Sequence, residues 1–451
     1  MVFRMHDRKV YFALESAEGT REAPNASTGY VETTDPSFSV TNRMFERNPT
    51  RLAITPVMQT VAGTGKSSGA PSALVEFSFS VEMAGSTTLG TAPRWAGLLK
   101  ACGMEEVAVS SIAIDGTLAL GTEARFLRNY ENFSSNASGG TTYASGTQTG
   151  RVIGDTGFDD TVLYYHSDAS SAHPPVDTDE LVGQASAVNA KATAGPTATG
   201  GLAYVMTSGT ALGGSNSTSL TIQMPLNSSG DYIEGVGCRG TVDFAFTSGD
   251  NVKLNFTFTG RLNQYAEGGT FTPTSGTLGL PPAFTGVDLG IAESSYGATD
   301  AASYGDSIFS TMNISIGNDI TVRENVDVAS GYDVAYITGR SPSMTFNPDA
   351  VRVASAGNQA DFWDRFLSGE STRARMTVGS DAGNKFHFRM PALQFTGIAD
   401  GNRDEVMVLD STTTLTGGDY GSSVQERVDS ANSTVTNPRL GTDNEFVFYV
   451  L

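Results

Sequence analysis

The sequence predicts a mainly β protein built from many short strands. Hydrophobic and polar residues alternate along several segments, which is the pattern of a strand with one buried and one solvated face. The 451 residues include 51 glycines, and the segments between apolar runs are rich in Ser, Thr and Asn, which suits turns. With 39% hydrophobic and 17% charged residues, the chain can bury a sizeable core.

Two stretches show this alternation most clearly. In residues 75–83 the odd-numbered positions are apolar, whereas the even-numbered positions are Glu or Ser. Residues 241–259 predict a hairpin with its turn at 248–251. One face of that hairpin carries six apolar residues, Val242, Phe244, Phe246, Leu254, Phe256 and Phe258.

Two short helices are predicted, in residues 93–103 and 358–369. Both end at a glycine, and the first begins beside a proline, as helix boundaries often do. Their apolar residues recur at helical spacing, as Trp95, Leu98, Leu99 and Cys102 in the first and Phe362, Phe366 and Leu367 in the second. Each helix carries one of the chain's two tryptophans, Trp95 and Trp363, and we expect both indoles to fill the core.

The order of these elements repeats along the chain, with strands leading to a helix and then to further strands. We therefore predict two tandem β domains, residues 1–270 and residues 271–451, the second with a C-terminal extension. A Gly-, Thr- and Pro-rich connector joins them near 266–282. A long interruption of the first domain, about 107–214, is interpreted as a small inserted β module on the surface, because structureless loops of that length are rare in compact domains.

The charge of the chain limits the classes of partner. The net charge is −20, from 48 acidic and 28 basic residues, the opposite sign to that of a protein which grips nucleic-acid phosphates. Marine or halophilic adaptation explains the acidity equally well. The two cysteines, Cys102 and Cys238, lack metal-ligand spacing, so a reduced compartment is expected. We expect no secretory signal and no membrane span.

The sequence offers no arrangement of residues for catalysis. The four histidines lie in unrelated settings, without a nucleophile or a metal motif beside them. Residues 63–69 resemble half of a phosphate-binding loop, but Thr60 stands where the first glycine should be and a strand follows instead of a helix. We therefore predict that the protein is not an enzyme and has no cofactor or metal.

A series of segments, taken in order, resembles the tail tube (major tail) proteins of long-tailed, siphovirus-type bacteriophages. They are residues 11–20, 93–103, 237–246, 254–260, 317–324, 338–342, 361–364 and 384–415. The resemblance covers most of the chain outside 107–214. It implies two tandem tail-tube β-sandwich domains, each with a short flanking helix, whose inner strands join into one barrel.

The resemblance also implies a function and a set of partners. The chain would be a structural virion protein that forms stacked rings, the tail tube through which DNA is ejected into the host. Two domains per chain predict a homotrimeric, pseudo-hexameric ring, with a homohexamer as the alternative. The tape measure protein would fill the tube before ejection, and genomic DNA would pass without specific binding. Assembly would occur in the host cytoplasm, with no membrane partner.

The polar faces of the predicted barrel strands supply candidates for the wall of the tube. An acidic or neutral wall would let DNA slide, because it forms no counterion-driven attachment to phosphates. Glu76, Glu82 and Asp243 are the candidate lumen-lining acids. Alternation fixes two faces without saying which one lines a lumen, so these residues could equally be solvated positions on the outside.

Polar positions in the second domain are basic instead. Arg373, Arg375, Lys385 and Arg389 are candidate inter-subunit residues that would meet the acidic strand of an adjoining domain; a DNA-facing ladder and a solvated face are the alternatives. For stacking between rings we expect the N-terminal arm, about residues 1–35, and the loop at 63–69 to reach a neighbour. A cell-surface or adhesin-type β protein is the strongest rival function, and a secreted enzyme is a weaker one.

Overall fold

A computed structural model describes most of the chain. It covers residues 9–24, 30–42, 73–113, 125–130, 146–153, 162–167, 180–183, 189–191, 197–206, 218–226, 230–269, 279–287, 289–292, 304–306, 308–327, 331–350, 362–369, 371–416 and 445–451. The loop predicted to reach a neighbour, 63–69, lies outside these residues. We refer to residues 1–270 as the first half and to residues 271–451 as the second half.

The described residues are mainly β, as predicted. The strands of the first half are β1 Lys9–Leu14, β2 Tyr30–Glu32, β3 Thr34–Asn42, β4 Ala73–Glu82, β5 Met104–Ala113, β6 Arg125–Tyr130, β7 Gly146–Ile153, β8 Val162–Ser167, β9 Glu180–Gly183, β10 Asn189–Lys191, β11 Thr197–Met206, β12 Leu220–Pro225, β13 Tyr232–Thr247 and β14 Lys253–Ala266. The strands of the second half are β15 Leu289–Ala292, β16 Tyr304–Asp306, β17 Phe309–Ser315, β18 Asn318–Glu324, β19 Tyr332–Arg340, β20 Ser343–Pro348, β21 Thr372–Val378, β22 Phe386–Arg403, β23 Val406–Thr416 and β24 Val447–Val450. Two helices, α1 Ala96–Ala101 and α2 Phe362–Ser368, lie among them.

One antiparallel sheet runs through both halves of the molecule. Its order is β3–β4–β14–β13–β17–β20–β23–β22, and the junction between the halves is the pairing of β13 with β17. We call this the eight-strand sheet. Both strong strand predictions are confirmed in it, since residues 73–82 form β4 and the predicted hairpin forms the inner parts of β13 and β14.

A second layer of strands packs on the apolar face of the eight-strand sheet. Strands β13 and β22 belong to both layers, because their N-terminal parts pair with β12 and β21 respectively. The aromatic rings of Phe244 and Phe388 come from opposite layers and lie 5.7 Å apart between centroids. Phe448 of β24 lies 5.5 Å from Phe244. The rings belong to one buried hydrophobic cluster that draws side chains from both halves.

The strand pairings of the first half recur in the second. Six pairings of the first half each have a counterpart in the second half. They are β1–β2 with β15–β16, β1–β12 with β15–β21, β12–β13 with β21–β22, β13–β14 with β22–β23, β14–β4 with β23–β20, and β3–β4 with β17–β20. All are antiparallel, and each helix follows the corresponding strand, β4 or β20. The repeat seen in the order of sequence elements is therefore also a repeat of pairings.

Each half interrupts this common pattern at a different place. In the first half, the strands from β5 to β11 stand between α1 and β12, close to the predicted insertion at 107–214. In the second half, the two-stranded sheet of β18 and β19 stands between β17 and β20. The C-terminal strand β24 pairs with β11 on one side and β22 on the other, so the insertion and the second half share a sheet.

The helices only partly match their predictions. α1 buries Trp95, Leu98, Leu99 and Cys102, as expected. In α2, Phe362 is buried, but the side chains of Trp363 and Leu367 are 48% and 78% exposed. The prediction that Trp363 fills the core, with Leu367 on the apolar face, is therefore wrong, because α2 packs instead through Phe362, whose ring lies 5.7 Å from that of Phe346.

Candidate assembly surfaces

The face of the eight-strand sheet opposite the core is lined by short polar side chains. One row across the sheet contains Ser80, Asn255, Asp243, Ser315, Ser343 and Thr414, which are register partners on successive strands. The next row contains Glu82, Lys253, Ala245, Asn313, Thr345 and Thr412. We call this the polar face. Hydroxyl and amide groups occupy five of the six positions in the first row and three of the six in the second.

The three predicted lumen acids all lie on the polar face of the first half. Glu76 and Glu82 are exposed on β4. Glu82 stands opposite Lys253 in the register, and the amide nitrogen of Asn251 lies 3.5 Å from its Oε1. The Nζ of Lys253 donates to the Oδ2 of Asp250 at 3.0 Å. The acids therefore share one face, but a lysine accompanies them.

Asp243 differs from the other two acids because it is partly buried. It lies between Asn255 and Ser315 in the register. Its Oδ1 is buried and finds no hydrogen-bond partner among the described residues. Burial is the main cause that raises the pKa of the Cys102 thiol, and the charge of Asp243 adds to it. The thiols of Cys102 and Cys238 are both buried and free.

The two outer strands of the eight-strand sheet have a partner on one side only, within the part of the chain that the structure describes. β3 pairs with β4 along 34–42. At the other end of the sheet, residues 394–403 of β22 pair with β23. Such edges present main-chain donors and acceptors to any further strand. The sheet therefore offers one edge from each half, and the two edges lie at opposite ends.

The predicted basic residues lie in the second layer. Arg373 and Arg375 are on β21, Arg389 is on β22, and Arg375 and Arg389 are direct register partners. Lys385 precedes β22, where its carbonyl accepts a bond from the Leu451 backbone N–H at 2.8 Å. None of these four pairs with acidic strand β4, whose strand partners in the described chain are β3 and β14. Their role between chains stays a prediction.

The described part of the N-terminal arm is built into its own chain. β1 pairs with β12 and with β2, and Val10 and Phe12 are buried in the core. Residues 30–32 form β2, and β3 begins at Thr34. The expectation that the whole segment 1–35 reaches a neighbour is therefore wrong for these residues, because their apolar side chains complete the core.

A buried polar network that the sequence did not reveal holds the segment after β1. Glu15 accepts bonds from the hydroxyls of Ser219 and Thr221, at 2.5 and 3.0 Å, and from the Gly237 backbone N–H at 2.8 Å. Arg239 is also buried and binds Glu18 at 2.5 Å. Glu15 and Arg239 are buried because tertiary contacts supply their partners, whereas Glu18 is exposed. No local sequence pattern indicates these contacts.

Glu234 is the second centre of this network. Arg21 donates to its carboxylate at 2.7 and 2.9 Å, and the amides of Gln223 and Asn263 donate as well. Burial opposes ionisation of Glu234, but these hydrogen bonds outweigh it and lower the pKa of the carboxyl. The charge-assisted bonds therefore fasten the arm to β12, β13 and β14.

A cavity of about 280 Å³ lies beside α1 and is lined mainly by Val31, Val81, Trp95, Glu82 and Arg94. Its lining is mixed, because Glu32, Glu82, Ser86 and Arg94 accompany the apolar side chains. Among the described residues, no cluster of His, Cys, Asp and Glu is suited to hold a metal ion. Neither described helix has the length and hydrophobicity needed to cross a membrane.

Comparison with known proteins adds no relative. No protein-family model matches the chain, and no curated protein matches it. The features of the molecule that bear on its function are the repeated pairings, the polar face and the two sheet edges.

Proposed function

We propose that the protein is a structural subunit of a phage tail tube, in which copies of the chain form rings that stack around a DNA channel. The observation that carries the proposal is the eight-strand sheet, with four strands from each half, a polar face and two edges at opposite ends. In the proposed ring, β22 of one copy pairs with β3 of the next. The internal β13–β17 pairing supplies the pattern for this contact, because β13 corresponds to β22 and β17 corresponds to β3.

A head-to-tail contact of this kind forms a ring when its rotation closes. It also satisfies the strand edges, which would otherwise promote aggregation. β13 and β22 occupy corresponding positions in the repeated pairings. In the proposed ring, the first half therefore meets the second half through β13, and the second half meets the first half of the next copy through β22 in the same way. The two halves of one chain are thus two tube domains in this proposal.

Strand spacing favours three copies in a ring. Three chains with eight strands each supply 3 × 8 = 24 strands in the wall. At a spacing of about 4.8 Å per strand the circumference is roughly 115 Å and the diameter roughly 37 Å between backbones, and strand tilt widens it. That width admits a DNA duplex beside short Ser, Thr and Asn side chains. Six copies would double the diameter and leave the DNA far from the wall.

The polar face suits a channel wall through which DNA slides. Its hydroxyl and amide groups carry no net charge, and in the two rows described above the acids Glu82 and Asp243 outnumber Lys253. A wall without a basic surplus avoids the salt-dependent binding of phosphates that would hold DNA in place. The tape measure protein would occupy the same channel before ejection, and the assembled tube would be part of the virion tail.

Electron microscopy and native mass measurement of the purified chain test the proposal. We expect stacked rings with a central hole and a mass of three chains per ring. A mass of six chains per ring would refute the trimer but would still agree with the tube function. A protein that stays monomeric at high concentration, at both low and high salt, would refute the tube and revive the adhesin-type alternative.

The wall assignment has its own test. We expect assembled tubes of the wild type to retain no short DNA duplex, whereas a Ser80→Lys, Thr257→Lys variant retains DNA in a salt-dependent manner. Thr338→Lys, at an exposed position on the β18–β19 sheet, is the matched control and should behave like the wild type. Equal retention by both variants would show that the polar face does not line the channel.

A further inference from the structure

A shared β-bulge aligns β13 of the first half with β22 of the second. In β13 the extra residue lies between Gly235 and Cys238, opposite β12. In β22 it lies between Met390 and Leu393, opposite β21, the strand that corresponds to β12. Bulges are specific features of a strand pairing and rarely shift freely. Cys238 and Leu393 therefore occupy corresponding positions.

The alignment continues to the ends of both strands. β22 has a second bulge, after Phe395, whereas the register of β13 with β14 has no further shift along the same length. Residues 241–247 of β13 therefore correspond to residues 397–403 of β22. Within these ranges, Val242 corresponds to Ile398.

The same alignment extends across the sheet to β17 and β3. The register partners met on the way correspond one by one: Phe258 with Thr413, Phe77 with Met344, and Phe38 with Ile314. Two residues further along, Val40 of β3 corresponds to Ile316, which directly follows β17. The two strands of the β13–β17 junction thus have exact counterparts at the two outer edges of the eight-strand sheet.

An apolar pair closes the junction inside the chain. The N–H of Ile316 donates to the carbonyl of Val242 at 3.2 Å, and both side chains are buried. Their counterparts at the outer edges are also apolar. Val40 is 42% exposed, and Ile398 is only partly buried at the margin of the core. Each edge therefore carries one half of a pair that is complete at the internal junction.

We propose that β22 of one copy pairs with β3 of the next in the register of the β13–β17 junction, so that Ile398 lies opposite Val40. The inference rests on the proposed tube function and names the residues of its ring contact. The partner is a second copy of this chain. The apolar pair extends the core across the boundary, and Ala399 then lies opposite Ser39, which keeps the polar face continuous.

The charged side chains favour the same register. Arg403 and Asp35 take the places of two threonines that are register partners in the internal junction, so opposite charges meet across the boundary. Asp35 is exposed, and Arg403 forms an ion pair with Asp349 in its own chain. The next core-facing pair, Asp400 with Phe38, is not apolar, which confines the apolar contact to one pair. A slip of two residues, the smallest that keeps both faces, separates the charged pair and the apolar pair alike.

Disulfide trapping measures the register directly. Ala399 and Ser39 form a non-hydrogen-bonded pair in this register, in which the Cα atoms lie about 4.5 Å apart, within the range of a disulfide. A 1:1 mixture of Ala399→Cys and Ser39→Cys chains, oxidised after ring assembly, should give a covalent dimer. Ser37→Cys and Thr41→Cys, each mixed with Ala399→Cys, are controls on the same face and should cross-link about tenfold more slowly. The native thiols are buried and should contribute no background.

Exchange of the apolar pair for charges gives an independent measurement. Val40→Lys and Ile398→Glu should each raise the concentration needed for ring assembly about tenfold or more, because each places an unpaired charge in the contact. The double variant brings the two charges together across the boundary and should recover most of the loss. Ile308→Lys, at an exposed apolar position beside the internal strand β17, is the matched control and should assemble like the wild type. Circular dichroism of the unassembled chains separates loss of assembly from loss of fold.

The outcomes distinguish this register from the tube function. Rings that cross-link faster through Ser37 or Thr41, or that form equally well with either single charge, would overturn the register and leave the tube function standing. Failure of the folded double variant to recover assembly would overturn the apolar pair. A wild-type chain that forms no rings would overturn both proposals.

Discussion

α1 and α2 occupy corresponding places in the two halves, yet one is enclosed and the other is not. Trp95 lies among Phe386, Phe448 and Tyr204, which come from the second half and from the insertion. Trp363 follows the same sequence pattern, but it lies within α2, whereas Trp95 stands immediately before α1. The comparison shows that burial of an apolar helix face depends on a neighbouring unit as well as on the helix.

The largest expected effect compares the two tryptophans directly. In the unassembled chain, Trp95→Ala should lower the free energy of unfolding by about 3–5 kcal/mol, because it leaves a cavity in a packed core. Trp363→Ala should change it by no more than about 0.5 kcal/mol. Denaturant unfolding followed by circular dichroism measures both. Similar losses in the two variants would mean that Trp363 is already covered within its own chain. The difference in burial between the two tryptophans would then be contradicted.

A smaller effect is expected from the polar groups on corresponding strands of the second layer. Glu234→Gln should cost about 1–3 kcal/mol of unfolding free energy, because the buried donors that converge on its carboxylate lose charge-assisted bonds. Thr377→Val removes the single bond to His387 Nδ1, 2.9 Å long, and should cost about 0.5–1.5 kcal/mol. The same denaturant titration serves for both. A larger loss for Thr377→Val would show that the second half also depends on a central polar network.

The pH dependence should sharpen the same contrast. The folded state lowers the pKa of Glu234, so its contribution to stability is fully present above the unfolded pKa of about 4.3 and is lost as the pH falls through the folded pKa. The stability difference between the wild type and Glu234→Gln should therefore be greatest near neutral pH and shrink below about pH 4. A difference that is constant from neutral to acidic pH would contradict the role of the ionised carboxylate.

The smallest effects are expected on the polar face. Glu76→Gln and Glu82→Gln should each change unfolding free energy by no more than about 0.5 kcal/mol, because both side chains are exposed. Thr345→Val, on the second-half part of this face, is the matched control and should also be nearly neutral. Thermal unfolding is sufficient to compare them. A loss above about 1 kcal/mol in either glutamate variant would assign these acids a structural role.

Much of the architecture was predictable because local patterns carry it. The alternation in residues 75–83 and the hairpin at 241–259 are found as β4 and as the inner parts of β13 and β14. Glycines stop both helices, and Gly103 and Gly369 adopt φ values of +78° and +68°, which favour glycine. The three candidate acids do share one face, as their spacing predicted. These features depend on residues that are near one another in the chain.

The missed features depend on distant residues. The sequence pattern placed Trp363 in the core because it repeats that of Trp95, and only the packing of Phe362 on Phe346 shows which side of α2 is buried. The network around Glu15 and Glu234 draws donors from β12, β13 and β14, which no local window can assemble. The pairing of β24 with β11 joins the end of the chain to the insertion.

The sequence by itself therefore determined the β class, the positions of the clearest strands, the two helices and the repeated order of elements, because alternation, helical spacing and turn residues act over a few residues. Only the tertiary structure decided that both halves share the eight-strand sheet and that Trp95 is enclosed while Trp363 is not. Strand pairing and burial depend on which segments meet in space. The outer edges of the eight-strand sheet and the side chains of Trp363 and Leu367 remain exposed where the structure describes no further segment that contacts them.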